Sequence, residues 1–281
     1  MILRWPAVEY PLQQHLTALI TGAGRGIGKR LAIGFAKAGI RVALIGRSQG
    51  ELDVTKLEIE HAGGSAHRFR ADVRDFEQLS AAVDRMTAAH GELDLLVANA
   101  AVLGPIGPFV KQRPRDWKEV FETNVIGVMN ACRTVLPQMI QRRSGKIVVI
   151  ADSSSSFPRP NFAPYAASKA AVVRFVESVA EEVRDQNVQI NCLSPGLAYT
   201  SMTDEILAAD EGAGAKELDD AEQVRLTGGV PAEKQIQLAL FLASQRSNHI
   251  TGKLIDINDD WKKLERENAR PDAWTLRRHL K

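Results

Sequence analysis

The segment Asn161–Ala171, NFAPYAASKAA, sets a phenol and an ammonium four residues apart, Tyr165 and Lys169, with only alanine and serine between them. On a helix, residues i and i+4 share a face, so both polar heads can be aimed at one place. A free phenol has a pKa of about 10, too high for an efficient base near neutrality. A cation one turn away favours the phenolate and lowers that value, and a position near the helix start adds the positive end of the helix dipole. The small residues 166–168 leave room for a ligand to lie against the helix. An ordinary amphipathic helix would also fit this pair, so the reading rests on the rest of the chain.

A second candidate is TGAGRGIG, Thr21–Gly28, directly after the apolar run LTALIT. Glycines at 22, 26 and 28, with Gly24 between, let the backbone turn tightly and approach a pyrophosphate. The following helix, opening at Arg25, Gly26 and Ile27, offers its N–H groups to that anion. The spacing differs from the G-x-G-x-x-G of longer dinucleotide domains. A dinucleotide site that takes NAD usually carries an acidic residue at the end of the second strand. Here that place reads IGRS, with Arg47 and Ser48, and Arg25 lies in the phosphate turn. Two guanidinium groups suit a ribose 2′-phosphate, so NADP(H) is expected over NAD(H); merely solvated arginines are the alternative.

Around these residues the chain alternates short apolar runs with helical periodicities. Strands are expected at Leu16–Thr21 and Arg41–Ile45, with a third out of which His67–Val73 leads, and at Leu93–Ala98, Lys146–Ala151, Val188–Leu193 and Lys253–Ile257. Helices are expected through about Ala38 and over Glu51–Ala62, Phe76–His90, Trp117–Ile140, from Tyr165 to about Asp185, and over Glu233–Ala243. The near-continuous apolarity of most strands fits a parallel sheet covered on both faces by right-handed βαβ crossovers. An α/β chain is expected, forming one domain over 1–281. Residues 199–230, rich in Ala, Asp, Glu and Gly, are expected to form a mobile substrate lid beyond a strand's carboxyl end. The C-terminal extension 259–281, with Trp261 and Trp274, is expected to pack on its own fold or on a partner subunit.

Composition excludes several classes. Lys+Arg 36 against Asp+Glu 34 gives a net charge of +2, which argues against a nucleic-acid footprint; the basic cluster Arg277–Lys281 reads as a solvated tail. No apolar run reaches a membrane span, and MILRWPAVEY shows no leader pattern. Cys132 and Cys192 read as buried free thiols in a reducing, cytoplasmic setting. His15, His61, His67, His90, His249 and His279 show no metal-ligand spacing, so no structural metal is expected.

TGAGRGIG from Thr21, LVANAA from Leu96, NVIG from Asn124, YAASK from Tyr165 and SPGLAYT from Ser194 stand in the order and spacing of the short-chain dehydrogenase/reductase family, which the chain resembles over roughly residues 14–258. The resemblance implies a seven-stranded, Rossmann-like doubly wound parallel sheet with helices on both faces, a nicotinamide cofactor and commonly a homotetramer or dimer. It implies that Tyr165 passes a proton to or from the substrate oxygen of a secondary alcohol or ketone while a hydride moves to or from nicotinamide. It also implies that Lys169 bonds the nicotinamide ribose, and that Asn124 holds a water linking Lys169 to solvent, although an Asn satisfied by nearby backbone also fits. Asn99, with Ala100, matches part of the usual N-N-A-G, from which Ala98 and Ala101 depart. Asp72 and Val73 would lie along the adenine; Pro195, Gly196 and Thr200 would close over the carboxamide.

Two places depart from the family pattern. The substrate-orienting serine usually lies thirteen residues before the tyrosine, which here is Asp152, followed by serines 153–156. Either a one-residue shortening brings Ser153 into the role, or a carboxylate sits beside the substrate and raises the pKa of Tyr165; Ser153 is the expectation. IDINDDW, Ile255–Trp261, replaces the glycine pair often found after the last strand. An alternative function follows from Asp152: a catalytically weak nucleotide-binding sensor or scaffold.

Overall fold

Aliphatic and β-branched runs bounded by glycine and polar turns form the strands of the computed structural model, which describes residues 16–266 and 272–276. In chain order the elements begin β1 (Thr17–Thr21), α1 (Gly26–Lys37), β2 (Arg41–Gly46), α2 (Gln49–His61), β3 (Ala66–Arg70), α3 (Phe76–His90) and β4 (Leu95–Ala98). They continue with α4 (Pro114–Phe121), α5 (Gly127–Gln141), β5 (Gly145–Ile150), α6 (Ala163–Glu182) and β6 (Val188–Ser194). The chain then forms α7 (Ser201–Ala208), α8 (Ala215–Thr227), α9 (Ala232–Ala243), β7 (Leu254–Asp256) and the short α10 (Trp261–Leu264).

The seven strands pair in parallel throughout the sheet, in the order β3-β2-β1-β4-β5-β6-β7. Every residue of β1, β4 and β6 is buried, as two-sided cover requires. Edge strand β3, AHRFR, instead alternates inward and outward, presenting polar groups on its solvated side. One core layer joins α1, α2 and α9 to the sheet through Phe35, Leu52 and Phe241; the other joins α3, α5 and α6 through Leu79, Val135 and Val176. Each fully buried aromatic or aliphatic side chain of this kind contributes about 1.5–3 kcal/mol of transfer free energy. The strand order reverses between β1 and β4, and the crevice outside their carboxyl ends is where an open α/β sheet binds ligands.

Three local features refine the sequence reading. The single helix expected over Trp117–Ile140 is α4, a π-helical turn at Glu122–Ile126, and α5. The wider turn carries Asn124, and such insertions recur where a helix must re-aim a side chain. Residues 199–230 contain α7 and α8, with Thr200 and Thr203 forming a capping box at the start of α7. At the β7 edge, Leu254 N–H donates to the Trp274 carbonyl at 2.7 Å and Lys253 Nζ to that of Ala273 at 2.9 Å, so this part of the extension covers its own sheet. Trp261 packs against Phe241, ring centres 5.3 Å apart. Residues 1–15, with His15, and the cluster 277–281, with His279, lie outside the described residues.

Candidate active site

The carboxyl ends of β1, β4, β5 and β6 open onto a cavity of about 640 Å³. At one end lies the glycine turn. Gly22 has φ +64°, and a Cβ there would stand 2.9 Å from the Ala100 Cα; a Cβ on Gly28 would stand 2.3 Å from the Gly22 carbonyl oxygen. Only glycine lets β1, the turn and the β4 loop meet this closely. Asn99 fastens the same corner by donating to the Thr21 and Gly22 carbonyls at 2.9 and 3.2 Å. Helix α1 has no acidic residue in its first turn and no side-chain cap from Arg25, so its opening N–H groups retain their affinity for an anion.

Beyond the turn, β2 ends at Gly46, and Arg47 and Ser48 follow on the cavity wall. The Ser48 hydroxyl caps α2 by accepting from Glu51 N–H at 3.3 Å. Arg47 is exposed and makes no ion pair among the described residues. Arg25 lies 3.6 Å from Glu51 in an exposed pair. The Arg74 side chain holds the Asp72 carboxyl below its usual range despite burial, with a smaller contribution from Arg47.

At the other end Tyr165 and Lys169 share a face of α6, with the ammonium 5.6 Å from the ring centre. Pro164 occupies the first turn of α6, where its missing N–H costs nothing, and sets Tyr165 near the helix start. Lys169 Nζ donates to the Ile150 carbonyl, the last of β5, at 2.9 Å. Burial lowers the Lys169 pKa, opposed by Asp152 and Cys192. Burial pushes the Tyr165 phenol up, Asp152 adds to that, and Arg159 opposes it. Burial and Asp152 therefore outweigh the lowering expected from Lys169 and the helix start.

Of the residues singled out from sequence, Gly22, Gly24, Arg25, Gly26, Ile27, Arg47, Ser48, Asp72, Val73, Asn99, Ala100, Ser153, Tyr165, Lys169, Pro195, Gly196 and Thr200 all line this cavity. Gly28 sits beneath the turn. Asn124 sits behind the wall: its Oδ1 accepts from Val102 N–H at 2.8 Å, and its Nδ2 donates to the Val102 carbonyl at 2.9 Å and Ser168 Oγ at 3.0 Å. Its amide is satisfied by the Val102 backbone and the Ser168 hydroxyl.

Sequence reasoning passed over Arg159, which lines the cavity, stacks 4.3 Å from the Phe162 ring centre and binds Glu217 of α8 through two hydrogen bonds of 3.0 and 2.6 Å. Burial lowers its pKa, but Glu217 and Asp152 more than compensate and leave it raised. A lone arginine in a loop carries no local signal. Asp256 also lines the cavity and accepts from Ser194 Oγ at 2.5 Å, so the acidic departure at the end of β7 reaches this site. Both cysteines are buried free thiols, and burial pushes Cys132 up to about 12.

The sequence profile described as short chain dehydrogenase matches residues 16–211. The chain belongs to that family. This short-chain dehydrogenase is 36% identical over 244 residues to the 2,3-dihydro-2,3-dihydroxybenzoate dehydrogenase of Bacillus subtilis, covering 83% of the chain and 91% of that protein. It is 33% identical over 240 residues to a 3-oxoacyl-acyl-carrier-protein reductase of Thermotoga maritima, covering 85% and 95%. Among solved structures it superposes on a gluconate 5-dehydrogenase from Burkholderia cenocepacia in complex with NADP and tartrate, with TM-score 0.78, 30% identity, and coverage of 89% and 96%. As a short-chain dehydrogenase it is an NAD(P)-dependent oxidoreductase acting on small molecules. The cavity fits such a cofactor on its own chemistry. Besides the open N–H groups of α1, the buried Lys169 spends one N–H on Ile150 and has no other protein acceptor among the described residues, leaving two donors unspent. No described helix is long and apolar enough to cross a membrane.

Proposed function

We propose that the chain interconverts a secondary alcohol and a ketone with NADP(H), using Tyr165 as the acid/base. The observation that carries this reading is the Tyr165–Lys169 pair at the wall of a cavity whose far end is a phosphate turn. Gly22, Gly24, Gly26, Ile27 and the α1 terminus hold the pyrophosphate, with Gly28 keeping the turn tight. Arg47 and Arg25 hold the 2′-phosphate, and Ser48 fixes the start of α2 beside them. Asp72, Val73, Asn99 and Ala100 line the adenosine half; Pro195, Gly196 and Thr200 flank the nicotinamide half. Bound nicotinamide supplies or accepts the hydride.

In ketone reduction Tyr165 donates its proton to the substrate oxygen; in alcohol oxidation it takes one. Lys169 orients the ribose, and its charge favours the phenolate that reduction leaves behind. Ser153, exposed on the cavity wall, donates to the same substrate oxygen. Asn124 keeps the π-helical turn and α6 in register, so Lys169 stays aimed inward. Helices α7 and α8 serve as the substrate lid, tied down by Arg159–Glu217.

The test is spectrophotometric: NADPH absorbance followed with a broad panel of ketones, for the wild type and for Tyr165→Phe. Turnover that disappears in the variant supports the reading. A second reading, a nucleotide-binding sensor or scaffold with little turnover, draws on Asp152, which raises the pKa of the phenol. It would be favoured if NADPH raised the melting temperature while no substrate changed the absorbance.

A further inference from the structure

Asp152 stands two residues beyond the end of β5, on the wall of the cavity that also holds Tyr165. Its two oxygens are in different states. Oδ1 accepts from the backbone N–H of Ser154 at 2.7 Å and from the Ser154 hydroxyl, which fixes the carboxylate's orientation. Oδ2 accepts no hydrogen bond among the described residues; its nearest cation, Arg159 Nη1, is 3.9 Å away, an ion pair beyond hydrogen-bond reach. Arg159 cannot swing closer, because Glu217 holds two of its nitrogens and the Phe162 ring lies beneath it. The result is a charged, oriented acceptor with one oxygen open to the substrate end.

A carboxylate has no proton to donate. It cannot bond a ketone oxygen, and it repels the negative charge that develops there during hydride transfer, so it does not serve the reacting atom. It can serve a hydroxyl that keeps its proton throughout the reaction. The same surroundings disfavour an acid: Arg159, the guanidinium beside Asp152, is flanked by two carboxylates, Asp152 and Glu217, and Glu217 already takes its Nε–Nη2 edge, one that a substrate carboxylate would use. We propose that Asp152 reads the substrate, and that the substrate is an uncharged polyol or its hydroxyketone counterpart, with one hydroxyl donating to Asp152 Oδ2 while the reacting oxygen lies against Tyr165. This rests on the oxidoreductase reading above.

The experiment compares kcat/KM for three compounds on one carbon skeleton: an uncharged hydroxyketone, the ketone lacking that hydroxyl, and the corresponding keto acid. The wild type is expected to favour the hydroxyketone over the deoxy compound by about ten- to a hundredfold, the value of one hydrogen bond to a charged group, and to turn over the keto acid most slowly. In Asp152→Ser, which loses the acceptor and gains a donor, the hydroxyketone-to-deoxyketone ratio should collapse toward one. Asp152→Asn, which keeps one acceptor, should retain part of it. Melting temperature with and without NADPH checks that both variants are folded. Equal wild-type rates on hydroxyketone and deoxyketone, a preference for the keto acid, or an unchanged ratio in folded Asp152→Ser would each overturn the assignment while leaving the oxidoreductase reading intact. No turnover of any of the three by wild type that binds NADPH would overturn both.

Discussion

The ammonium of Lys169 lies 5.6 Å from the centre of the Tyr165 ring and is anchored to the carbonyl that ends β5. The strand end and the helix face thus fix one cation relative to one phenol, with two ammonium hydrogens left over. Lys169→Met removes those donors. Affinity for NADPH should fall about tenfold or more, and kcat should fall with it. Fluorescence titration of NADPH measures the first; an unchanged dissociation constant would remove Lys169 from the cofactor site.

Tyr165→Phe deletes only a hydroxyl. Turnover should drop about 10²–10⁴-fold, the usual worth of a positioned acid/base, with NADPH affinity nearly constant. Because burial raises the phenol's pKa above its ordinary value of about 10, its protonated form persists through neutral pH. Ketone reduction should therefore hold level across the neutral range, while alcohol oxidation, which needs the phenolate, should climb as pH rises. A reduction rate that falls steeply between pH 6 and 8 would show another group supplying the proton.

Arg47, exposed and without an ion-pair partner among the described residues, is the group proposed to choose the cofactor. Arg47→Ala should weaken NADPH by about ten- to a hundredfold and NADH by much less, because only the former carries the 2′-phosphate. Equal losses for both cofactors, read by titration, would refute the preference.

Far from the site, Lys146 donates to Ser247 Oγ at 3.1 Å, and burial pulls its pKa from 10.5 down to about 7. Below pH 7 both folded and unfolded chains carry the proton, and the folded state bears the full desolvation cost. Between pH 7 and 10.5 the unfolded chain binds more protons, so this group makes stability rise with pH. Lys146→Met should flatten that slope and stabilise the protein near pH 6 by a few kcal/mol at most, on the order of what the shift implies. Denaturant unfolding at pH 6 and 10 gives the comparison; identical pH slopes in the two proteins would sink it.

Much of the fold was legible. The apolar runs marked the inner strands β1, β2, β4, β5 and β6 to within a few residues, because a strand buried on both faces leaves little freedom in composition. The glycine turn and the Tyr–Lys spacing were legible for a similar reason: both are local, one fixed by close backbone approach and the other by helix geometry. The π-helical turn at Asn124 was not, since a single five-residue i→i+5 turn shifts the apolar phase by only one residue within an otherwise helical stretch. Arg159 was missed because its partners, Glu217 and Phe162, belong to α8 and to the loop before α6, and no spacing rule joins them.

The sequence by itself determined the layer architecture, the anion turn and the shared face of Tyr165 and Lys169, all of which follow from periodicity and short-range sterics. Tertiary structure alone decided the electrostatics. It buried the phenol so that its pKa rises rather than falls, committed one oxygen of Asp152 to Ser154 while leaving the other open, and bound Arg159 to Glu217 across 58 residues of chain. Charge interactions depend on distance and burial, and neither is a property of neighbouring letters.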